Sequence, residues 1–186
     1  MNNLGNDIEI AIVEKFRRGE TSAMDWLYAA YANYLTGVCC RYIVHDDDLK
    51  DVLQESFIKI FTRMNSFDYR GKGSLRAWVT KIAINECLLF LRRQKQNTFV
   101  VDMDPPDIPD EEPDTEGLSG DVLTRLIRQL PDGYRTVLNL YVIEGKSHKE
   151  IAEMLNIKPD TSASQLHRAK NMLAKFIKDY KRYGYE

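Results

Sequence analysis

Cysteine and histidine are scarce, three of each in 186 residues. Cys39, Cys40 and Cys87 form no CxxC pair, and His45, His148 and His167 are scattered along the chain. A metal centre needs ligands converging at short spacing, so the sequence offers no metal site and calls for no cofactor. An odd, unpatterned cysteine count suits a reducing compartment, with the thiols buried in apolar helical stretches rather than bridged. Long apolar runs are also missing. Nothing approaches the roughly 20 residues of a membrane span, and the N-terminus lacks the basic-then-apolar pattern of a secretion signal. The expectation is a soluble, cytoplasmic protein with no direct membrane insertion.

Positive charge is absent from one long stretch. Between Asn97 and Asp121 there are nine acids and no lysine or arginine, whereas residues 1–96 carry 14 basic and 12 acidic side chains and residues 122–186 carry 12 and seven. The net charge of −2 therefore averages two neutral-to-basic blocks over a strongly acidic one, and it does not argue against nucleic acid as a partner. Of the six prolines, Pro105, Pro106, Pro109 and Pro113 fall inside this acidic stretch. They block a helix while the like charges repel, so residues 97–118 read as an acidic, Pro-rich linker between domains spanning 1–96 and 119–186.

Strand alternation and internal repeats are lacking too, and what remains is helical periodicity. Helices are expected over Asp7–Arg18, from a cap at Thr21 or Ser22 to about Val44, over Asp48–Phe61 continuing to Met64, and from a cap at Ser74 to about Gln96. Four helices on short connections make one small domain. Beyond the linker, one stripe runs Val122, Leu123, Leu126, Ile127, Leu130 and stops at Pro131; another, Tyr134 to Tyr141, stops at Gly145. Ser147 caps a short helix through Leu155, and after a turn Pro159 starts the last helix. The fold class is all-α, in two small helical domains.

Three surfaces stand out. On the third helix Leu49, Val52, Leu53, Phe57, Ile60 and Phe61 form the buried stripe, and Asp48, Asp51, Gln54 and Glu55 form a polar row opposite. From Arg63 to Lys95, eight basic residues outnumber Asp68 and Glu86, and Phe67, Tyr69 and Trp78 are interleaved with them. That mixture suits stacking on unpaired bases beside a charged backbone, although Trp78, next to Val79 and Ile82, reads better as core. Finally, 147–173 has the helix-turn-helix pattern, with Ile151, Ala152, Leu155, Ile157 and Leu166 closing the shared core. Thr161, Ser162, Ser164, Gln165 and Arg168 are residue types that read base edges, and Lys149, His167, Lys170 and Lys175 suit phosphates.

The run DLKDVLQESF closely resembles the conserved region two helix of bacterial RNA polymerase sigma factors, and the short chain points to their extracytoplasmic function (ECF) group. The resemblance implies that Asp48, Asp51, Gln54 and Glu55 dock on core RNA polymerase. FDYRGKGSLRAWVTKIAINECLLFLRR resembles the part of region two that melts and reads the minus-ten element, where the loop captures a flipped base. That implies promoter DNA contacts by Tyr69, Arg70, Lys72 and Ser74, with Arg76, Lys81 and Asn85 following. The stretch from Leu130 to Leu173 looks like region four, which recognises the minus-thirty-five element, implying contacts by Lys149, Thr161, Ser162, Ser164, Gln165, His167, Arg168 and Lys170. The sequence departs from the family pattern at Pro159-Asp160, where many members have Glu-Gly, at Ala163, often Lys, and at Ile84, often basic. The resemblance further implies an anti-sigma factor as a partner, a linker that runs through the polymerase, and no enzymatic activity. Two rivals come from other classes. A stand-alone helix-turn-helix regulator would bind operator DNA without polymerase. A metal-dependent nucleic-acid hydrolase would use Asp46, Asp47, Asp48 and Asp51, but these crowd a helix start instead of converging in a pocket.

Overall fold

In the computed structural model, residues 4–94 and 112–184 are described, with side chains from Ile8 onward. Every regular element among them is helical. The chain divides into two compact units, Met1–Phe90 and Leu91–Glu186; the division falls within the last turns of a helix that the sequence alone carries to about Gln96. Most of the expected linker, 97–111, lies outside the described residues.

The first unit holds α1 (Leu4–Arg17), α2 (Ala23–Cys39), α3 (Asp46–Arg63) with a 3₁₀ turn at Met64–Ser66, and most of α4 (Ser74–Gln94). Its core is built from Ile12 and Val13 of α1, Leu27, Leu35 and Val38 of α2, Val52, Phe57 and Ile60 of α3, and Leu75, Val79, Cys87 and Leu88 of α4. Polar ties cross this core between helices. The Tyr34 hydroxyl meets Thr80 Oγ1 at 3.0 Å, and because Thr80 donates to the Arg76 carbonyl, Tyr34 is the donor. Lys59 donates to Glu86 at 2.6 Å, linking α3 to α4. Cys39 and Cys87 are buried, Cys40 partly so, and all are free thiols. A hydrogen bond to Cys39, then burial, pushes the Cys87 thiol well above its ordinary range, which keeps it protonated and inert.

In the second unit α5 (Gly120–Arg128), α6 (Asp132–Leu138), α7 (His148–Leu155) and α8 (Pro159–Tyr183) pack around Leu126, Leu130, Val137, Leu140, Ile151, Leu155, Ala169, Leu173 and Ile177. The sequence stripe placed Tyr141 inward. Instead a π turn over Asn139–Ile143 adds a residue to the helical turn and swings Tyr141, Val142 and Ile143 to the surface. The α5–α6 corner is fastened by Arg135, 2% exposed, whose guanidinium donates to the Leu130 carbonyl at 2.6 Å, the Arg128 carbonyl at 3.4 Å and Asp132 Oδ1 at 2.6 Å. Removing it strands these acceptors in a largely dry corner. Arg135→Ala is expected to cost about 2–3 kcal/mol, read as a lowered denaturation midpoint of the second unit; a change under about 0.5 kcal/mol would show the corner to be redundant.

Candidate functional site

The polar row on α3 is built as its spacing implies. His45 is extended at the helix start, and Asp46, Asp47 and Asp48 fill the first turn, where carboxylates meet the positive end of the helix dipole. Asp51, Gln54 and Glu55 are exposed and Asp48 is half-buried, while Leu49, Val52, Phe57 and Ile60 hold the other face in the core. Lys50 bonds to Asp47 at 2.8 Å, and this hydrogen bond holds the Asp47 carboxyl below its usual range. No cluster that could hold a metal occurs among the described residues, so Asp46, Asp47, Asp48 and Asp51 do not form the pocket a hydrolase needs.

The loop from Phe67 to Gly73 is shaped by two glycines in the left-handed region, Gly71 at φ 109° and Gly73 at φ 84°; any side chain there would be strained. Ser74 is the first helical residue, not the cap. Its hydroxyl donates to the Gly71 carbonyl at 2.6 Å and accepts the Arg70 amide at 3.2 Å, so it knits the loop to the helix start. Arg70 also pairs with Asp68 at 3.1 Å. Lys72 is exposed in the loop, Arg76, Lys81 and Asn85 are exposed along α4, and Tyr69 is half-buried. The Arg76 guanidinium lies 4.1 Å from the Tyr34 ring centroid, a cation–π contact that fixes its direction. Trp78 is half-buried and packs on Phe67, centroids 5.0 Å apart. Ile84, where a basic residue is frequent in the resembled pattern, is core.

Sequence reasoning missed Glu9. This α1 residue is only 6% exposed, yet its carboxylate accepts from Tyr31 Oη at 3.0 Å, from the Gly73 amide at 2.9 Å and from the Arg76 amide at 3.2 Å. Burial first, then the neighbouring carboxylate, pushes the Tyr31 phenol above its ordinary range. A carboxylate on an otherwise apolar helix stripe was the available signal.

In the second unit the helix-turn-helix geometry is explicit. Ser147 and Glu150 form a capping box: Ser147 Oγ accepts the Glu150 amide, and the Ser147 amide donates to Glu150 Oε2 at 2.8 Å. Ser147, mainly through its amide, holds the Glu150 carboxyl below its ordinary value. Asn156, left-handed at φ 55°, ends α7, and Pro159 opens α8. Lys149, Ser164 and His167 are exposed, and Thr161, Arg168 and Lys170 are half-buried. Two expected base readers are corrected. Ser162 is 0% and Gln165 3% exposed, because they share the inward stripe of Leu166, Ala169 and Leu173 at three- and four-residue steps. Ser162 Oγ instead bonds His148 Nδ1 at 3.0 Å, and the His148 ring stacks on Tyr141 at 4.6 Å between centroids. Neither residue can reach a base from there. The end of the acidic stretch returns to α8: Glu112 accepts from Lys170 at 2.8 Å and Asp114 from Lys181 at 2.7 Å.

With this geometry in view, the comparisons with known proteins bear on two segments. Residues 27–97 match the model of Sigma-70 region 2, and residues 121–173 that of Sigma-70, region 4. The chain is 30% identical over 176 residues, 88% of its length and 92% of the other, to an ECF RNA polymerase sigma-E factor of Haemophilus influenzae. It is 26% identical over 188 residues, 90% and 95% of the two chains, to the ECF RNA polymerase sigma factor SigW of Bacillus subtilis. The fold is similar to that of CnrH, solved with the cytosolic domain of CnrY, at a TM-score of 0.50, 19% identity and coverage of 92% and 97%. It is also similar to RpoE, solved with the anti-sigma factor NepR from Bartonella quintana, at a TM-score of 0.50, 20% identity and coverage of 85% and 98%.

Proposed function

The chain belongs to the ECF class of RNA polymerase sigma factors, and from that premise we propose how its surfaces divide the work. As a sigma factor it binds core RNA polymerase and directs it to particular promoters. Sigma factors are transcription initiation factors and generally not enzymes; in this reading the chain makes and breaks no covalent bonds, and its binding energy goes into opening DNA. Residues 1–96 carry the contacts to core polymerase and the minus-ten element, 97–118 form the acidic linker, and 119–186 carry the contacts to the minus-thirty-five element. Asp48, Asp51, Gln54 and Glu55 dock on the polymerase. Tyr69, Arg70, Lys72 and Ser74, with Arg76, Lys81 and Asn85, handle the unpaired minus-ten strand. Thr161, Ser164 and Arg168 face bases, and Lys149, His167 and Lys170 phosphates, leaving Ser162 and Gln165 in the core.

What carries the reading is that segments matching regions two and four occur in that order on one chain. A stand-alone operator-binding regulator would leave 27–97 without a task. No described helix is long and apolar enough to cross a membrane; in this reading the protein works where the polymerase does, in the cytoplasm. An anti-sigma factor belongs among its partners, as one binds the similar RpoE.

The test is in vitro transcription from a genomic promoter library with purified core polymerase. A distinct set of start sites is expected, sharing two sequence elements one docking span apart. No initiation, together with tight binding of the isolated protein to discrete duplex sites, would favour the regulator.

A further inference from the structure

The start of α4 cannot cap itself. Its N-cap position is Gly73, which has no side chain, and whose carbonyl accepts the first intrahelical bond from Ala77 at 2.9 Å. The orphan amides of a helix start need an acceptor, and Glu9, from a helix 64 residues earlier in sequence, supplies it. Its Oε2 takes the Gly73 amide at 2.9 Å; its Oε1 takes the Arg76 amide at 3.2 Å and the Tyr31 hydroxyl at 3.0 Å. All three partners are donors, and the two carboxyl oxygens accept them together. The same carboxylate therefore pins both ends of one short piece: the left-handed glycine that closes the Phe67–Gly73 loop and the residue that points along the neighbouring face of α4.

We propose that Glu9 is a positioning residue for base selection by the Phe67–Gly73 loop: it touches no DNA, and by holding Gly73 and Arg76 from behind it fixes the shape in which the loop receives an unpaired base. The proposal rests on the reading of this loop as a minus-ten contact. A pocket that selects one base by hydrogen bonds must hold its groups within a fraction of an ångström, because a group that drifts accepts the wrong base nearly as well. The loop has two left-handed glycines, and the bonds of Ser74 to Gly71 and Arg70 tie it to the first residue of α4, so its shape depends on how that helix start is held.

Glu9→Gln separates the two halves of the clamp. The glutamine oxygen at Oε1 keeps Tyr31 and Arg76, while its amide nitrogen faces the Gly73 amide, donor against donor. The loop is released and the helix packing is kept. The experiment uses full-length protein assembled with core polymerase, measuring initiation on a set of promoters that carry each of the four bases at every minus-ten position. Core affinity and thermal midpoint are measured in parallel. In the wild type, the preferred base at one or two positions should exceed the others by about tenfold or more. In Glu9→Gln that preference should fall below about threefold at those positions, with core affinity within twofold of wild type and the other positions unchanged. Glu9→Asp, one methylene short of the amides, should lie between; should the glutamine variant not fold, it carries the test under the same criteria. Unchanged preferences, or a uniform fall at every promoter, would reduce Glu9 to a structural cap and overturn the proposal. A wild type with no base preference at any minus-ten position would instead sink the reading of the loop itself, and the role of Glu9 with it.

Discussion

Asp51→Ala combined with Gln54→Ala is expected to weaken binding to core polymerase by about 30- to 1,000-fold, the loss typical of removing two central interface contacts. Both side chains are exposed on α3, opposite the buried Leu49, Val52, Phe57 and Ile60, so the helix keeps its seat. Alanine is the better helix former at both positions, and stability should move by no more than about 0.5 kcal/mol. The loss therefore lies in recognition alone. Competition for core against labelled wild-type protein gives the affinity, and a thermal melt checks the fold. Because five of the nearby side chains, Asp46, Asp47, Asp48, Asp51 and Glu55, are acidic, the partner surface should be basic, and the wild-type association rate should fall as salt rises. An affinity unchanged by the double substitution would mean the polymerase docks elsewhere.

Ile60→Ala attacks the same helix from the other side and should have the opposite signature. Ile60 is fully buried in the first unit, and truncation to alanine leaves a cavity the neighbours fill only in part, at a cost of about 3 kcal/mol. Denaturant titration of the full chain should show the first unit melting early. At low temperature, where most of the protein is folded, affinity for core should stay within about twofold of wild type, because no docking side chain is touched. The pair of variants separates the surface that recognises from the stripe that supports it. Equal loss of affinity in a folded Ile60→Ala protein would show that docking requires the helix interior to be rigid.

Local chemistry was readable from sequence at several points where the partners are neighbours in the chain, though not at Ser74, which starts α4 instead of capping it. The capping box at Ser147 and Glu150, the left-handed end of α7 and Pro159 opening α8 all follow from residues within a few positions of each other. So do the apolar stripes, since helical periodicity is itself local. What sequence alone could not resolve depends on distant partners. Ser162 and Gln165 look like base readers by type, yet the inward stripe claims them, and Ser162 is satisfied by His148 on another helix. Glu9 stands out on the apolar stripe of α1, but its partners Gly73 and Arg76 come 64 and 67 residues later in the chain and are not legible from it. Tyr141 fits an apolar stripe only while the helix keeps its 3.6-residue period, and the π turn ends that period early. Polar groups inside a core are invisible to periodicity for the same reason in each case: what makes them affordable is a bond across the fold.

The two ion pairs that end the acidic stretch have a consequence for how DNA would be held. Glu112 on Lys170 and Asp114 on Lys181 are exposed pairs, each worth little to stability. On the proposed division of surfaces, the first of them occupies a lysine assigned to phosphate. A phosphate arriving at Lys170 displaces the Glu112 carboxylate from it, and that carboxylate stays tethered beside the duplex, where it offsets part of the charge the lysine brings. Such a contact counts for less than one full phosphate neutralisation, which otherwise contributes about 0.9 to the slope of log affinity against log salt. The chain thus carries part of its own ionic atmosphere, and its grip on duplex DNA should depend less on the salt of the cell than its lysine count suggests.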